Sequence, residues 1–205
     1  IYTILNTLSL HDALPIYGAT SANLTGTAGF SFGAVGSAAA GEAMSGESVG
    51  LAGSGVGHCA GQTAGTEKLV TISGLALSGG DATNYSLNVL SLTGDIDKKA
   101  LSFTTASTIS SKTYDGTNAA GAVTIGSLDV NSFVSGESVT ITSGSALALT
   151  SANVGVYTTT ISYVLADAAG ESGGLAGNYS LADSVGVSAS ITAKTLTITA
   201  RGQSV

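Results

Sequence analysis

Apolar and polar residues alternate along much of this chain, in short stretches. The clearest case runs from Val185 to Thr192. Val185, Val187, Ala189 and Ile191 are apolar, and Gly186, Ser188, Ser190 and Thr192 lie between them. A period of two marks a strand with one face in a core and the other in water, because successive side chains of an extended backbone point to opposite sides. Leu196 and Ile198 alternate with Thr195, Thr197 and Thr199 in the same way and predict another strand. Further β-prone runs fall near residues 100–105, 122–125, 138–142, 146–150, 157–165 and 178–182, separated by turn formers such as Asp115-Gly116 and Gly173-Gly174. The Ala-rich stretch from Ala34 to Met44 has a helical composition, but Gly33, Gly36 and Gly41 punctuate it.

The pattern repeats. Ser45-Gly46-Glu47-Ser48-Val49 returns 90 residues later as Ser135-Gly136-Glu137-Ser138-Val139, and Asn84-Tyr85-Ser86-Leu87 returns after 94 as Asn178-Tyr179-Ser180-Leu181. Residues 96–105 align with 191–200 at an offset of 95. The growing offset predicts an insertion near Gly170 to Gly174, and the period is that of a whole domain rather than a solenoid rung. Copy one is expected over residues 17–97 with its first strand missing, copy two over 98–193, and a truncated third copy over 194–205. About seven short strands in about 95 residues predict an all-β protein of tandem Ig-like β-sandwich modules, with β-grasp-like modules carrying a short helix as the alternative.

Charge and composition narrow the function classes. The 205 residues carry 6 basic against 13 acidic side chains, a net charge of −7, and Arg201 is the only arginine. Nucleic-acid binding depends on Lys and Arg neutralising phosphates, so no nucleic-acid partner is expected. Ser, Thr or Gly interrupts every apolar run, so no helix spans a bilayer and no membrane insertion is expected. Val, Ile and Leu are plentiful, unlike the composition of a disordered chain. Cys59 is the single cysteine, which excludes a disulfide framework within the chain.

Candidate chemistry is sparse. His58-Cys59 suggests a nucleophile or a metal site, but neighbours on a strand face opposite ways and a metal needs three or four ligands. The repeat sets Cys59 opposite Leu149, which predicts a small apolar core position. Asp81, Asp95 and Asp97 lack the spacing of a calcium loop and read as turn carboxylates. Asp115-Gly116 reads as a turn in which glycine takes a positive φ and aspartate bonds the backbone onward. Tyr114, Tyr85 and Tyr179 read as amphipathic residues at the edge of a core. Asn23, Asn84 and Asn178 each open an N-glycosylation acceptor pattern. No catalytic triad, carboxylate pair or phosphate loop stands out, so an enzyme is not expected, and neither is a cofactor or a metal.

Five motifs in order carry a family resemblance. Lys112-Thr113-Tyr114-Asp115-Gly116-Thr117 opens copy two. Ser135 to Val139, Asn153-Val154-Gly155, Gly177 to Leu181 and Ile191-Thr192-Ala193-Lys194 follow. This succession resembles the YDG repeats of filamentous-haemagglutinin-like surface adhesins of bacteria, over residues 17–205. Copy one departs from it, with Tyr17-Gly18-Ala19-Thr20 at the opening and Thr63-Ala64-Gly65 in place of Asn153-Val154-Gly155. The resemblance makes Tyr114, Asp115, Gly116, Thr117, Asn178 and Tyr179 structural motif residues. It implies an extracellular stalk or spacer module of a secreted adhesin, associated with the outer membrane and the cell surface, whose partners are neighbouring repeats. A weak carbohydrate- or protein-binding module acting by avidity on host or environmental glycans or proteins is the second reading, although the absence of Trp counts against a sugar site.

Residues 1–16, IYTILNTLSLHDALPI, match nothing downstream. They resemble the conceptual translation of a short-read sequencing adapter, with 6–16 as the inner primer in frame and 4–5 as the index. They are expected to be an artefactual leader outside the fold. The same alignment makes the first base of the Tyr17 codon adapter-derived, so the natural residue there is Tyr, His, Asn or Asp.

Overall fold

The computed structural model describes residues 42–88, 92–169, 173–199 and 202, together with the backbone of five short strands: Tyr2–Thr3, Leu8–Leu10, Ser21–Ala22, Leu24–Gly26 and Ser31–Gly33. Regular structure among these residues is extended, apart from three 3-10 turns of three residues each. The protein is all-β. The helix that a β-grasp module requires is not among the described residues, and the only described part of the Ala34–Met44 stretch is the strand Glu42–Met44. The opening Tyr17 to Thr20, Asn23, Ala34 to Gly41 and the core of the expected insertion at 170–172 lie outside the described residues.

The chain divides into two compact units, residues 1–99 and 100–205. The second is built on a four-stranded sheet in the order Lys112–Thr113, Ser184–Thr192, Gly155–Asp167, Val139–Ala146. The three long strands are antiparallel, and the two-residue strand joins in parallel, Lys112 opposite Ile191 and Thr113 opposite Thr192. The opening of the repeat therefore lies beside its end. Three two-stranded pairs complete the unit: Lys99–Leu101, which starts on the boundary residue, with Tyr179–Leu181, Phe103–Thr105 with Ser127–Leu128, and Thr108–Ile109 with Val123–Thr124. The 155–167 strand alternates as its sequence demands: Tyr157, Thr159 and Ile161 turn inward, while Val156 and Val164 face out. Leu149, Ala189 and Ile191 form a buried cluster, flanked by Ile109, Ala120 and Tyr157.

The first unit uses the same three-strand arrangement. Leu92–Ile96, Gly65–Ser73 and Val56–Cys59 are antiparallel neighbours, with Ser21–Ala22 added at the Val56–Cys59 edge. Gly65 faces Ile96 as Gly155 faces Ile191. From Gly65 to Ile72 the chain spends one residue more than from Gly155 to Ile161, and the surplus forms a β-bulge at Glu67 (φ 52). The Glu67 N–H is satisfied by Asp95 Oδ1 at 2.8 Å. Cys59, Val70 and Ile96 are buried together, with Leu92 against them. Within this unit Tyr2–Thr3 pairs in parallel with Leu87–Asn88, and Leu8–Leu10 pairs with Leu24–Gly26.

Three sequence expectations are corrected. The run 146–150 is not a strand, because the strand ends at Ala146. Leu149 is nonetheless buried: its N–H donates to Asn118 O at 2.7 Å, and its carbonyl accepts from Asn118 Nδ2 at 3.0 Å. Val185 is 77% exposed, although its position in the alternation is that of Ala189. Gly186 at φ +69 breaks the pleat, so only the residues after it keep the inward phase. Residues 193–199 form no strand, and Leu196 and Ile198 lie in water at 86% and 95% exposure.

Candidate functional site

Two side-chain arrangements hold the motif residues. The first is the Tyr-Asp-Gly turn. Tyr114 N–H donates to Thr192 O at 2.8 Å, continuing the parallel pair that joins the start of the repeat to its end. Gly116 then takes φ +83, a conformation that costs glycine little and a residue with a Cβ much more. Asp115 Oδ1 accepts from Thr117 N–H, Thr117 Oγ1 and Lys112 Nζ, each at 2.9 Å. Lys112 Nζ also donates to the Thr117 carbonyl at 2.9 Å. The Lys112 ammonium, followed by the Thr117 N–H and hydroxyl, holds the Asp115 carboxyl well below the usual carboxylate range. A carboxylate engaged in this way is a poor proton acceptor. It fixes a turn, and the Tyr114 side chain beside it is 40% exposed.

The second arrangement joins the other motifs and is present twice. In the second unit Tyr179 Oη donates to Glu137 Oε2 at 2.9 Å and accepts the Val134 N–H at 3.2 Å. In the first unit Tyr85 Oη donates to Glu47 Oε2 and accepts the Met44 N–H at 3.0 Å. The partners are 42 and 38 residues apart in sequence, and both glutamates follow a glycine with positive φ, Gly136 at 84 and Gly46 at 94. Each tyrosine also ends a 3-10 turn in the same way, with its N–H on the carbonyl of Ala82 or Ala176. The Ser-Gly-Glu and Asn-Tyr-Ser-Leu motifs are thus the two halves of one latch. Phe133 packs edge-on against Tyr179 at 5.9 Å, and Tyr179 is 2% exposed.

The remaining candidates separate. Cys59 is buried while His58 is exposed on the opposite face of the same strand, so the dyad does not assemble. Asp81 Oδ2 accepts the Ser48 N–H at 2.8 Å and Asp95 serves the bulge, so these two carboxylates engage separate backbone sites. Among the described residues no group of three His, Cys, Asp or Glu side chains converges on a point that could hold a metal. The glycosylation patterns are unequal: Asn84 is exposed on its turn, whereas Asn178 is 3% exposed. The pairing of Glu47 with Tyr85 and of Glu137 with Tyr179 escaped the sequence reading. The only available signal was that the two motifs recur together in both copies.

Among the described residues, no helix is long and apolar enough to cross a membrane. The fold and its two arrangements define an all-β protein made of two copies of one unit, each held by polar side chains on backbone groups. The family model of the YDG domain matches residues 17–93 and 97–186. The chain belongs to this family, as a tandem pair of YDG repeats. Neither a curated protein nor a solved structure matches it.

Proposed function

We propose that this pair of repeats is a non-enzymatic spacer in the stalk of a large secreted bacterial adhesin of the filamentous-haemagglutinin-like kind, displayed at the outer cell surface. Each repeat is, in this reading, a sandwich module of about 95 residues, and its partners are its neighbours in the same polypeptide. The observation that carries the proposal is the doubled Tyr–Glu latch. The side chains that recur between copies are those that bind the chain to itself, which fits a scaffold better than a ligand site. Low charge and the scarcity of cations favour a module that projects rather than one that binds nucleic acid.

Single-molecule stretching of the full chain, together with a glycan array, tests the reading. A spacer gives one unfolding event per repeat and no specific glycan signal. A specific signal lost on mutating one exposed tyrosine, Tyr114 first, overturns it in favour of the binding-module reading. That second reading is favoured by an open groove of about 330 Å³ in the second unit, lined by Ile125, Leu128, Phe133, Val139 and Ile141.

A further inference from the structure

The strand that closes the second repeat, Ser184–Thr192, is not at the edge of its sheet. Ile191 has Lys112 on one side and Gly155 on the other, and it is 2% exposed. The two neighbours run in opposite senses. Gly155–Asp167 is antiparallel to the closing strand, whereas Lys112–Thr113 is parallel to it, Lys112 opposite Ile191 and Thr113 opposite Thr192. Further bonds extend the parallel pair. Tyr114 N–H donates to the Thr192 carbonyl at 2.8 Å, and Thr192 Oγ1 donates to the Lys112 carbonyl at 3.2 Å. Lys112 Nζ donates to Asp115 Oδ1 and to the Thr117 carbonyl, each at 2.9 Å, which ties residues 112–117 into one block.

These directions decide how the unit responds to tension. By the same register, the chain enters the parallel pair at Ser111, beside Ser190, and leaves it at Ala193, beside Tyr114. The points of entry and exit therefore lie at opposite ends of the pair. A pull that separates them acts along the strands, so the bonds of the pair must slide together. The antiparallel neighbour gives the contrary case. Val154 and Ala193 both lie beyond the end of the ladder at which Gly155 faces Ile191, so a pull between them opens that ladder one bond at a time. We propose that the Lys-Thr-Tyr-Asp-Gly-Thr opening and the Ile-Thr end of the repeat form a shear clamp, which makes the second unit a force-bearing element that keeps its length when the chain is stretched. This deepens the spacer reading and rests on it for the source of the tension.

Lifetimes at constant force, measured on the full chain with optical tweezers, decide it. Cys59→Ala removes the native thiol, and exposed positions take cysteine handles in two versions: Ser111→Cys with Ala193→Cys, and Val154→Cys with Ala193→Cys. At the same force the 111–193 pull is expected to last about tenfold or more longer before its first rupture than the 154–193 pull, because its bonds fail together rather than singly. Thr192→Val keeps the shape of the side chain and removes the hydroxyl bond to the Lys112 carbonyl. It is expected to shorten the 111–193 lifetime by about fivefold, the rate equivalent of one hydrogen bond, and to leave the 154–193 lifetime unchanged. Equal lifetimes in the two pulls overturn the clamp, and so does a Thr192→Val substitution that leaves the 111–193 lifetime unchanged or shortens both alike. Any of these results leaves the spacer reading to the end-to-end stretch and the glycan array. A specific glycan signal overturns that reading and leaves the clamp to these lifetimes.

Discussion

The two units share a latch and differ in what surrounds it. Tyr179 is buried against Phe133, whereas the residue 90 positions before Phe133 is Ala43, and Tyr85 is only half-buried. Leu149 fills the core position that Cys59 fills in the first unit. The strands differ as well. The second unit has unbroken strands of 8 and 13 residues, while the first has two short pairs, Gly50–Ala52 with Ala76–Ser78 and Val56–Cys59 with the far part of Gly65–Ser73. The break falls at Gly53 (φ +88) and Gly74 (φ +80). A Cβ on the first would stand 2.0 Å from Gly74 O, and one on the second 2.4 Å from Ser54 O. Gly74 occupies the position of Tyr163. The comparison separates two roles: the motif contacts set the connections of the unit, and the volume of the side chains between them sets how firmly it holds.

The largest test of this is at the latch. Tyr179→Ala is expected to cost about 3–5 kcal/mol, as for other buried aromatics cut to alanine, with a clearly smaller loss for Tyr85→Ala. Urea unfolding resolved by hydrogen exchange reads each unit, and equal losses would break the comparison. Next comes the paired core position. Leu149→Ala is expected to cost about 2–5 kcal/mol and Cys59→Ala about 1 kcal/mol, because the thiol occupies less volume. A loss at Cys59 as large as that at Leu149 would show that the first core is packed as tightly as the second. The same exchange measurement on the unaltered chain should find slower amides in the 155–167 strand than in the 65–73 strand.

A smaller effect sharpens the comparison by pH. The Asp115 carboxyl is depressed in the folded unit relative to its ordinary value of 3.8, chiefly by Lys112. Its contribution is therefore fully present above pH 3.8 and is lost as pH falls below that value through the depressed one. The matching tetrapeptide in the first copy, Tyr17-Gly18-Ala19-Thr20, has no aspartate. Acidification from about pH 5 to about pH 2.5 covers only the upper part of that window, so it should remove part of this extra increment from the second unit, and Asp115→Asn should abolish that part of the acid response. An acid response unchanged in that variant would assign the increment to other carboxylates. The smallest effect is at the leader. Its described pairings at 2–3 and 8–10 use backbone groups that any sequence supplies, so deleting residues 1–16 should lower stability by less than about 1 kcal/mol, the size of an ordinary substitution. A greater loss would make the leader a structural element of the first unit.

Much of the second unit was legible from the sequence. The runs at 100–105, 138–142, 157–165 and 178–182 lie on strands because an extended backbone with one buried face imposes a period of two, and that period is a local property of the sequence. The Asp115-Gly116 turn was legible for the same reason, since both its positive φ and its Asp-to-Thr117 bonds span three residues. The repeat was legible because two copies can be laid side by side, and Cys59 inherited its place in the core from Leu149.

What sequence periodicity could not supply was anything set by a partner far along the chain. Tyr179 needs Glu137 and the Val134 N–H, 42 and 45 residues away, and no local pattern encodes that meeting. Lys112 and Thr113 are too short a run to read as a strand, and only the presence of Ile191 and Thr192 alongside makes them one. Leu149 is buried in a loop because Asn118 closes on it. Leu196 and Ile198 have the alternation of a strand but pair with no strand among the described residues, and the pattern that buries Leu101 leaves them exposed. Alternation specifies which face of a segment is apolar; only tertiary structure provides the surface on which that face is buried.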